Sequence, residues 1–186
     1  MTIELISRRG ILGAFAATAV VAAPVMANAF GFLRGAGDMR RIRMYNGRTG
    51  ENLDTVYWVD GKYVREALNE LNVFMRDGRT GTASGIDPRP IDVAAASHRL
   101  LKTNEPFMLL SGYRSPQTNA MLRRSSRGVA RNSLHMVGKA ADLRLKSRSV
   151  GQMYSAAVAC KAGGVGKYSR SNFVHMDCGP LRTWGA

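Results

Sequence analysis

Two of the three histidines in this chain of 186 residues stand in segments that also carry an aspartate. Asp142 follows His135 by seven residues, and His175 lies in a β-prone segment, residues 173–177. Neighbouring strands are only about 5 Å apart, so side chains on the same face of a sheet can converge. Two imidazoles and one carboxylate, with a fourth position left open, form the ligand set of a catalytic zinc site. Hydrogen-bonded core histidines are the other interpretation, and the spacing alone leaves both open.

Alternating and helical apolar patterns predict the elements that must position these residues. Period-two alternation over residues 41–45 and a β-prone run over residues 53–59 predict a hairpin. Apolar stripes predict four helices, and short apolar segments predict four further strands. The predicted helices cover residues 63–76, 91–102, 115–124 and 150–161, and the predicted strands cover residues 107–110, 140–145, 165–168 and 173–177. Helices and strands come in blocks with hairpins at both ends, which favours an α+β fold whose antiparallel sheet carries its helices on one side.

The first 29 residues have the composition of an export signal. An Ala-rich apolar run follows the paired arginines Arg8 and Arg9, and a small-x-small cleavage pattern ends at Ala29. The paired arginines favour the twin-arginine route. The apolar run covers only about 16 residues, whereas a membrane-spanning helix needs about 20. We therefore predict a signal peptide over residues 1–29, a single domain over residues 30–186, and a processed protein that is not transmembrane and acts in the periplasm or at the cell wall.

The chain is strongly basic, with 27 Lys and Arg against 13 Asp and Glu and a formal charge of +14. A net charge of this size indicates which partners a protein can bind, but it does not indicate the fold. The arginines are scattered and lack the interleaved aromatic residues of a single-strand nucleic-acid binder, so we expect no specific nucleic-acid partner. For an exported protein the anionic cell envelope is the expected partner. A basic solvated face without any specific partner is the alternative.

The remaining histidine and the two cysteines are assigned no catalytic role. His98 falls within a helical pattern and carries no matching motif, so we expect it to be structural. Two cysteines are too few for a disulfide-rich miniprotein or a four-cysteine zinc site. A bridge between Cys160 and Cys178 stays open, because spacing in the sequence does not fix the separation of their Cα atoms.

Three motifs in the sequence resemble those of one enzyme family. They are Ser111-Gly112-Tyr113-Arg114-Ser115, Ser133-x-His135-x-x-Gly138-x-Ala140-x-Asp142 and Phe173-Val174-His175-Met176-Asp177. In this order, and over residues 91–184, they resemble the M15 family of zinc peptidases, and more closely its branch of exported murein endopeptidases labelled DUF882. The resemblance implies the α+β fold of D-alanyl-D-alanine carboxypeptidases and the Hedgehog signalling domain. It also implies zinc on His135, Asp142 and His175 and a peptidoglycan peptide as substrate.

The resemblance further implies catalytic roles for an arginine and a carboxylate. Arg114 matches the family arginine that binds substrate and stabilises negative charge on the carbonyl oxygen, a task suited to a planar guanidinium. Several relatives carry a glutamate three residues before the last zinc histidine, but this chain has Asn172 there. Asp177 is the nearest carboxylate, and residues two apart on a strand share a face. Asp177 is therefore a candidate general base, a group that orients His175 is its alternative role, and Tyr168 is a further candidate for proton transfer.

Together these features predict an exported zinc-dependent peptidase that hydrolyses peptide bonds in peptidoglycan, foremost as a cross-link endopeptidase. A D-alanyl carboxypeptidase of the same chemistry and a non-catalytic, zinc-bearing wall-binding module are the alternatives. The motifs do not distinguish D,D from L,D cross-links.

Overall fold

The computed structural model describes residues 39–126 and 128–185, and these residues form eight strands and four α-helices. The strands are β1 (Met39–Asn46), β2 (Asn52–Val59), β3 (Lys62–Tyr63), β4 (Phe107–Ser111), β5 (Ala140–Arg144), β6 (Gly164–Tyr168), β7 (Phe173–Asp177) and β8 (Arg182–Trp184). The helices are α1 (Arg65–Phe74), α2 (Arg89–Leu100), α3 (Pro116–Ser125) and α4 (Val150–Ala159). The predicted signal peptide lies outside the described residues, and within them no helix is long and apolar enough to span a membrane.

The eight strands form one mixed sheet in the order β3-β2-β1-β4-β5-β7-β6-β8. The α+β class is confirmed, but the prediction of a purely antiparallel sheet is wrong, because β1 pairs with β4 and β6 pairs with β8 in parallel. The chain crosses between β1 and β4 through α1 and α2, and such a crossover allows a parallel return. The connection from β7 to β8 passes the start of β6, so β8 runs beside β6 in the same direction.

The hydrophobic core lies on one face of the sheet, where α1, α2 and α4 pack against alternate strand residues. Leu143 on β5 and Val174 on β7 are fully buried in this core. Side chains alternate across a strand, so the neighbouring residues Asp142 and His175 face the opposite side. The helix α3 contributes no residue to this core.

The strand register brings the chemically active residues of the opposite face into one row. Asp142 is paired with Ser111 on one side and with His175 on the other, and His175 is paired with Gly166 of β6. A short 3-10 helix, Leu134–Val137, carries His135 to the same row and ends at Gly138. The fold therefore gathers the three motifs at the centre of the sheet.

Gly138 is the residue that lets the 3-10 helix turn into β5. Its φ is +67°, in the left-handed region, and a Cβ at this position would lie 2.0 Å from the carbonyl oxygen of Gly85. A side chain at residue 138 would therefore strain the backbone and collide with a second segment.

We expect Gly138→Ala to lower the free energy of unfolding by at least about 2 kcal/mol, because the backbone strain and the collision add. Chemical denaturation measures the change. Gly151→Ala is the matched control, since its Cβ would meet only Ser149 Oγ at 3.8 Å within α4, and it should raise stability by about 0.5–1 kcal/mol. Wild-type stability in the Gly138 variant would contradict this account of the turn.

Candidate active site

His135, Asp142 and His175 each bring one ligand atom to a common point. His135 Nε2 lies 3.2 Å from His175 Nδ1 and 3.3 Å from Asp142 Oδ1, and the last two atoms are 2.8 Å apart. Zinc bonds of about 2.0–2.1 Å at tetrahedral angles place neighbouring ligand atoms about 3.3 Å apart. The three residues therefore fit three corners of a tetrahedral zinc site. Within the described part of the chain, they are the group that could hold a metal ion.

Each histidine has its outward ring nitrogen engaged as a hydrogen-bond donor, so the inward nitrogen is the one that can bind a metal ion. His135 Nδ1 lies 2.7 Å from the carbonyl oxygen of Gly112, and because a carbonyl only accepts, Nδ1–H donates. His175 Nε2 lies 2.9 Å from Asp177 Oδ2, so this nitrogen donates in the same way. Hydrogen bonds of this kind orient the ring and fix the tautomer of a metal-binding histidine.

The electrostatics of the cluster favour positive charge between its members. Burial alone would raise the pKa of Asp142, but the imidazoles of His135 and His175 hold it well below its usual range. Burial alone would lower the pKa of His175, but hydrogen bonds with Asp142 and Asp177 raise it to about 9. The carboxylates of Asp142 and Asp177 therefore favour positive charge at the His175 ring, and a divalent metal ion taking the place of the Nδ1 proton would satisfy the same field.

Asp177 lies behind His175, at the ring nitrogen turned away from the other two ligand atoms. It is 1% exposed and its Oδ1 accepts hydrogen bonds from the backbone N–H groups of Gly164 and Gly179. Arg182 donates to both carboxylate oxygens at 3.1 and 2.7 Å. Burial would raise the pKa of Asp177, but its bonds with His175 and Arg182 hold the pKa well below the usual range. Asp177 is therefore an ionised carboxylate whose oxygens are fully engaged by donors.

Arg114 stands at the edge of the cluster. Its Nη2 lies 3.6 Å from Asp142 Oδ2 and 3.2 Å from Ser111 Oγ, and its Nη1 lies 3.4 Å from Asn119 Oδ1. Burial lowers the pKa of Arg114, the carboxylate of Asp142 opposes this shift, and the nearby cation of Arg79 adds to it. The backbone N–H of Arg114 also donates to the carbonyl of His135 at 3.1 Å, which fixes the arginine segment to a ligand segment.

Tyr168 and Trp184 form an aromatic wall that the sequence patterns did not reveal in full. Tyr168 lies on the ligand face of β6, two residues from Gly166, which is paired with His175. The Trp184 indole N–H donates to the Tyr168 hydroxyl at 3.0 Å, and its ring centroid is 5.2 Å from that of His175. A Cβ at residue 166 would lie 2.4 Å from the indole. The alternate glycines of β6 are the signal that a large side chain from another strand lies over this face.

The residues expected to be structural lie apart from the cluster. His98 stacks on Phe107 at a centroid distance of 4.1 Å. Cys160 and Cys178 are free thiols. Cys160 is buried near Ser97 of α2, whereas Cys178 contacts the carbonyl of Lys139, so the bridge left open by the sequence is not formed.

Comparison with known proteins gives one consistent result. Residues 34–184 match the family described as Peptidoglycan L,D-endopeptidase MepK. The Peptidoglycan L,D-endopeptidase MepK of Escherichia coli strain K12 is 42% identical over 145 residues, which are 78% of this chain and 80% of that protein. The MepK of Shigella flexneri gives the same figures. The Probable peptidoglycan L,D-endopeptidase MepK of Haemophilus influenzae is 39% identical over 146 residues, 78% of each chain.

Proposed function

Because the chain belongs to the peptidoglycan L,D-endopeptidase MepK family of M15 peptidases, we propose that it hydrolyses L,D cross-links between the stem peptides of peptidoglycan. The prediction of an M15-type murein peptidase, made from three short motifs, is confirmed at the level of the family. The observation that carries the activity is the convergence of His135, Asp142 and His175 on one point beside Arg114. The names of the relatives favour L,D over D,D specificity, the choice that the motifs leave open.

Digestion of defined muropeptide dimers tests this function. The purified protein should cleave an L,D-cross-linked dimer and leave a D,D-cross-linked dimer of the same composition intact. A chelator should stop the reaction, and added zinc should restore it. Cleavage of the D,D dimer, or release of terminal D-alanine alone, would replace the proposed activity by another of the same chemistry. A protein that binds murein without cutting it would support the wall-binding alternative.

We infer that His135 Nε2, Asp142 and His175 Nδ1 hold zinc, since the distances and tautomers described above suit that ion. When bound, zinc supplies Lewis-acid activation of the scissile carbonyl and of water. The chain itself supplies a fixed cation, Arg114, to the negative charge that develops on the carbonyl oxygen.

We assign Asp177 the role of orienting His175 rather than that of general base. Its carboxylate meets Nε2, the nitrogen that does not face His135 and Asp142. Five donor groups surround its two oxygens, so taking a proton would break bonds to charged partners. An engaged, strongly acidic carboxylate is a poor proton acceptor near neutral pH.

Asp177→Asn should lower zinc affinity by about 10- to 100-fold, because an amide holds the imidazole less firmly and no longer favours its ligand tautomer. Excess zinc should then restore most of the hydrolysis rate. A titration of activity against added zinc measures both quantities. Asp54→Asn, which removes a carboxylate from an exposed ion pair with Arg41, is the control and should behave as wild type. A rate loss that persists at saturating zinc would return Asp177 to the role of general base.

We infer that the domain shares the fold of D-alanyl-D-alanine carboxypeptidases and the Hedgehog signalling domain. The arrangement of a mixed sheet, with ligands on one face and a helix-covered core on the other, supports this inference. Superposition of a crystal structure of the protein on members of both groups would test it, and a different strand order in them would reject it.

We also propose that residues 1–29 direct export by the twin-arginine route. The paired arginines Arg8 and Arg9 support this proposal. A reporter fused to residues 1–29 should reach the periplasm only in cells with an active twin-arginine pathway, and changing both arginines to lysine should retain it in the cytoplasm. Export that continues without the pathway would exclude this route.

The excess of basic residues is proposed to hold the exported protein on the anionic cell envelope. The formal charge of +14 supports this role, and it falls only to +13 when residues 1–29, with Glu4, Arg8 and Arg9, are removed. Interactions between exposed charges are screened by salt, so sedimentation with purified cell walls should fall as the salt concentration rises. Binding that is independent of salt would contradict an electrostatic attachment.

A further inference from the structure

A groove adjoins the ligand cluster at Arg114. It is formed by the turn after β1, the loop after α1 and the end of β4, and Arg114 lies in its wall. Because Arg114 Nη2 is also 3.6 Å from Asp142, one side chain borders both the cluster and the groove. A substrate whose scissile bond lies at the cluster would therefore have a neighbouring group beside this groove.

Four arginines line the groove, but only two of them have acidic partners. Arg76 pairs with Glu51 at 3.0 Å, and Arg114 approaches Asp142. Within residues 39–126 and 128–185, the side chains of Arg48 and Arg79 form no hydrogen bond or ion pair.

The carboxylate in the groove wall belongs to Asp77 and is already engaged. Asp77 is 2% exposed. Its oxygens accept hydrogen bonds from the backbone N–H groups of Arg79 and Ser115, both at 2.8 Å. The groove therefore carries more basic than acidic side chains, since four arginines face the carboxylates of Asp77, Glu51 and Asp142.

The loop that carries Arg79 is fixed against the arginine segment of the site. Asp77 joins this loop to Ser115, the residue that caps α3 and follows Arg114. The backbone N–H of Tyr113 donates to the carbonyl of Met75 at 2.7 Å, just before the loop begins. Arg79 is therefore presented by a braced segment, which lowers the entropy lost when it binds a ligand.

The side chain of Arg48 lies beside the same loop at Gly78. A Cβ at residue 78 would lie 2.8 Å from Arg48 Cδ, so the glycine leaves room for the arginine stem to lie across the loop. Arg48 thus lies across the glycine that precedes Arg79, and both arginines line the groove without an acidic side chain of their own as partner in the described part of the chain. Such a pair favours an anionic ligand, and planar guanidinium groups suit a carboxylate.

We propose that Arg48 and Arg79 bind a free carboxylate of the cross-linked peptide, on the side of the scissile nitrogen. This inference rests on the proposed L,D-endopeptidase function. An L,D cross-link joins the carboxyl group of an L-centre to the amine of a D-centre, and the D-centre keeps its own carboxylate on the carbon that bears this nitrogen. The substrate thus carries a negative charge two bonds from the atom released by hydrolysis. Recognition of this charge would distinguish a free carboxylate from an amidated one.

The test compares two L,D-cross-linked dimers that differ only in whether this carboxylate is free or amidated. The wild-type protein should cleave the free form with a kcat/KM about 10- to 100-fold higher, the usual range for a charge-assisted contact. The double variant Arg48→Gln, Arg79→Gln should lose this preference through a higher KM for the free form. Its kcat, its zinc content and its hydrolysis of the amidated dimer should stay unchanged.

Arg65→Gln is the matched control, because it removes the same charge from an exposed position at the opposite end of α1. It should keep the preference of the wild-type protein. Equal losses on both dimers in the double variant, or a wild-type protein that does not distinguish them, would overturn the inference and leave the proposed function intact. A wild-type protein that cleaves neither dimer would overturn the proposed function and this inference with it.

Discussion

His175→Ala protein should be purified with little zinc and should hydrolyse cross-linked murein on the order of 10³-fold more slowly than wild type. The change leaves two ligand atoms, His135 Nε2 and Asp142 Oδ1, 3.3 Å apart, and it removes the partner of the buried carboxylate of Asp177. A bound metal contributes several kcal/mol of transition-state stabilisation in hydrolysis, which corresponds to a factor of this size. Elemental analysis and release of muropeptides measure the two effects.

His98→Ala is the control for this experiment, because it removes an imidazole that stacks on Phe107 on the core side of the sheet. It should keep wild-type zinc content even where it lowers the melting temperature. Undiminished zinc in His175→Ala would show that the three residues do not hold the metal.

Arg114→Lys should keep zinc and lose about 10²- to 10³-fold in kcat, the usual loss when one donor to a developing oxyanion is removed. The guanidinium reaches Ser111 Oγ and Asn119 Oδ1 with different nitrogens. Lysine keeps the charge, but its single ammonium group cannot keep both contacts and still face the substrate. The comparison requires kcat values at equal zinc occupancy.

Arg124→Lys, an exposed exchange on α3, is the matched control and should leave kcat unchanged. A near-normal kcat in Arg114→Lys would reduce Arg114 to a structural residue that links the arginine segment to the ligand segment. Loss of zinc in this variant would show instead that the charge beside Asp142 is needed for metal binding.

The sequence patterns predicted the features that depend on neighbouring residues along the chain, namely the helices and the strands that carry the site. The β-prone segments around Asp142 and His175 allowed their side chains to converge on neighbouring strands, and the register of β5 and β7 pairs these two residues directly. The helices 63–76, 91–102, 115–124 and 150–161 are present with ends shifted by no more than two residues, as is usual where helix ends fray.

The features that the sequence did not reveal depend on contacts between distant segments. The strand β8 has three residues, too few for a periodic signal, and its place beside β6 follows from the tertiary fold. The hydrogen-bond partners of Asp177 could not be predicted either, because they also depend on contacts in the folded protein. Strand periodicity puts Asp177 on the face of His175, but only the packed structure shows that it meets Nε2 and Arg182.

The two faces of the central strands place neighbouring residues under different selection. On β5 and β7, Leu143 and Val174 fill the core, while Asp142 and His175 face the cluster. Substitutions at the first pair create cavities that cost stability, and some are repaired by compensating changes elsewhere in the core. Substitutions at the second pair change the chemistry, which no repacking restores. In a mutational scan along either strand, the variants would therefore alternate from one residue to the next. Variants at core positions would be rescued by a second substitution that stabilises the whole protein, whereas variants at cluster positions would not.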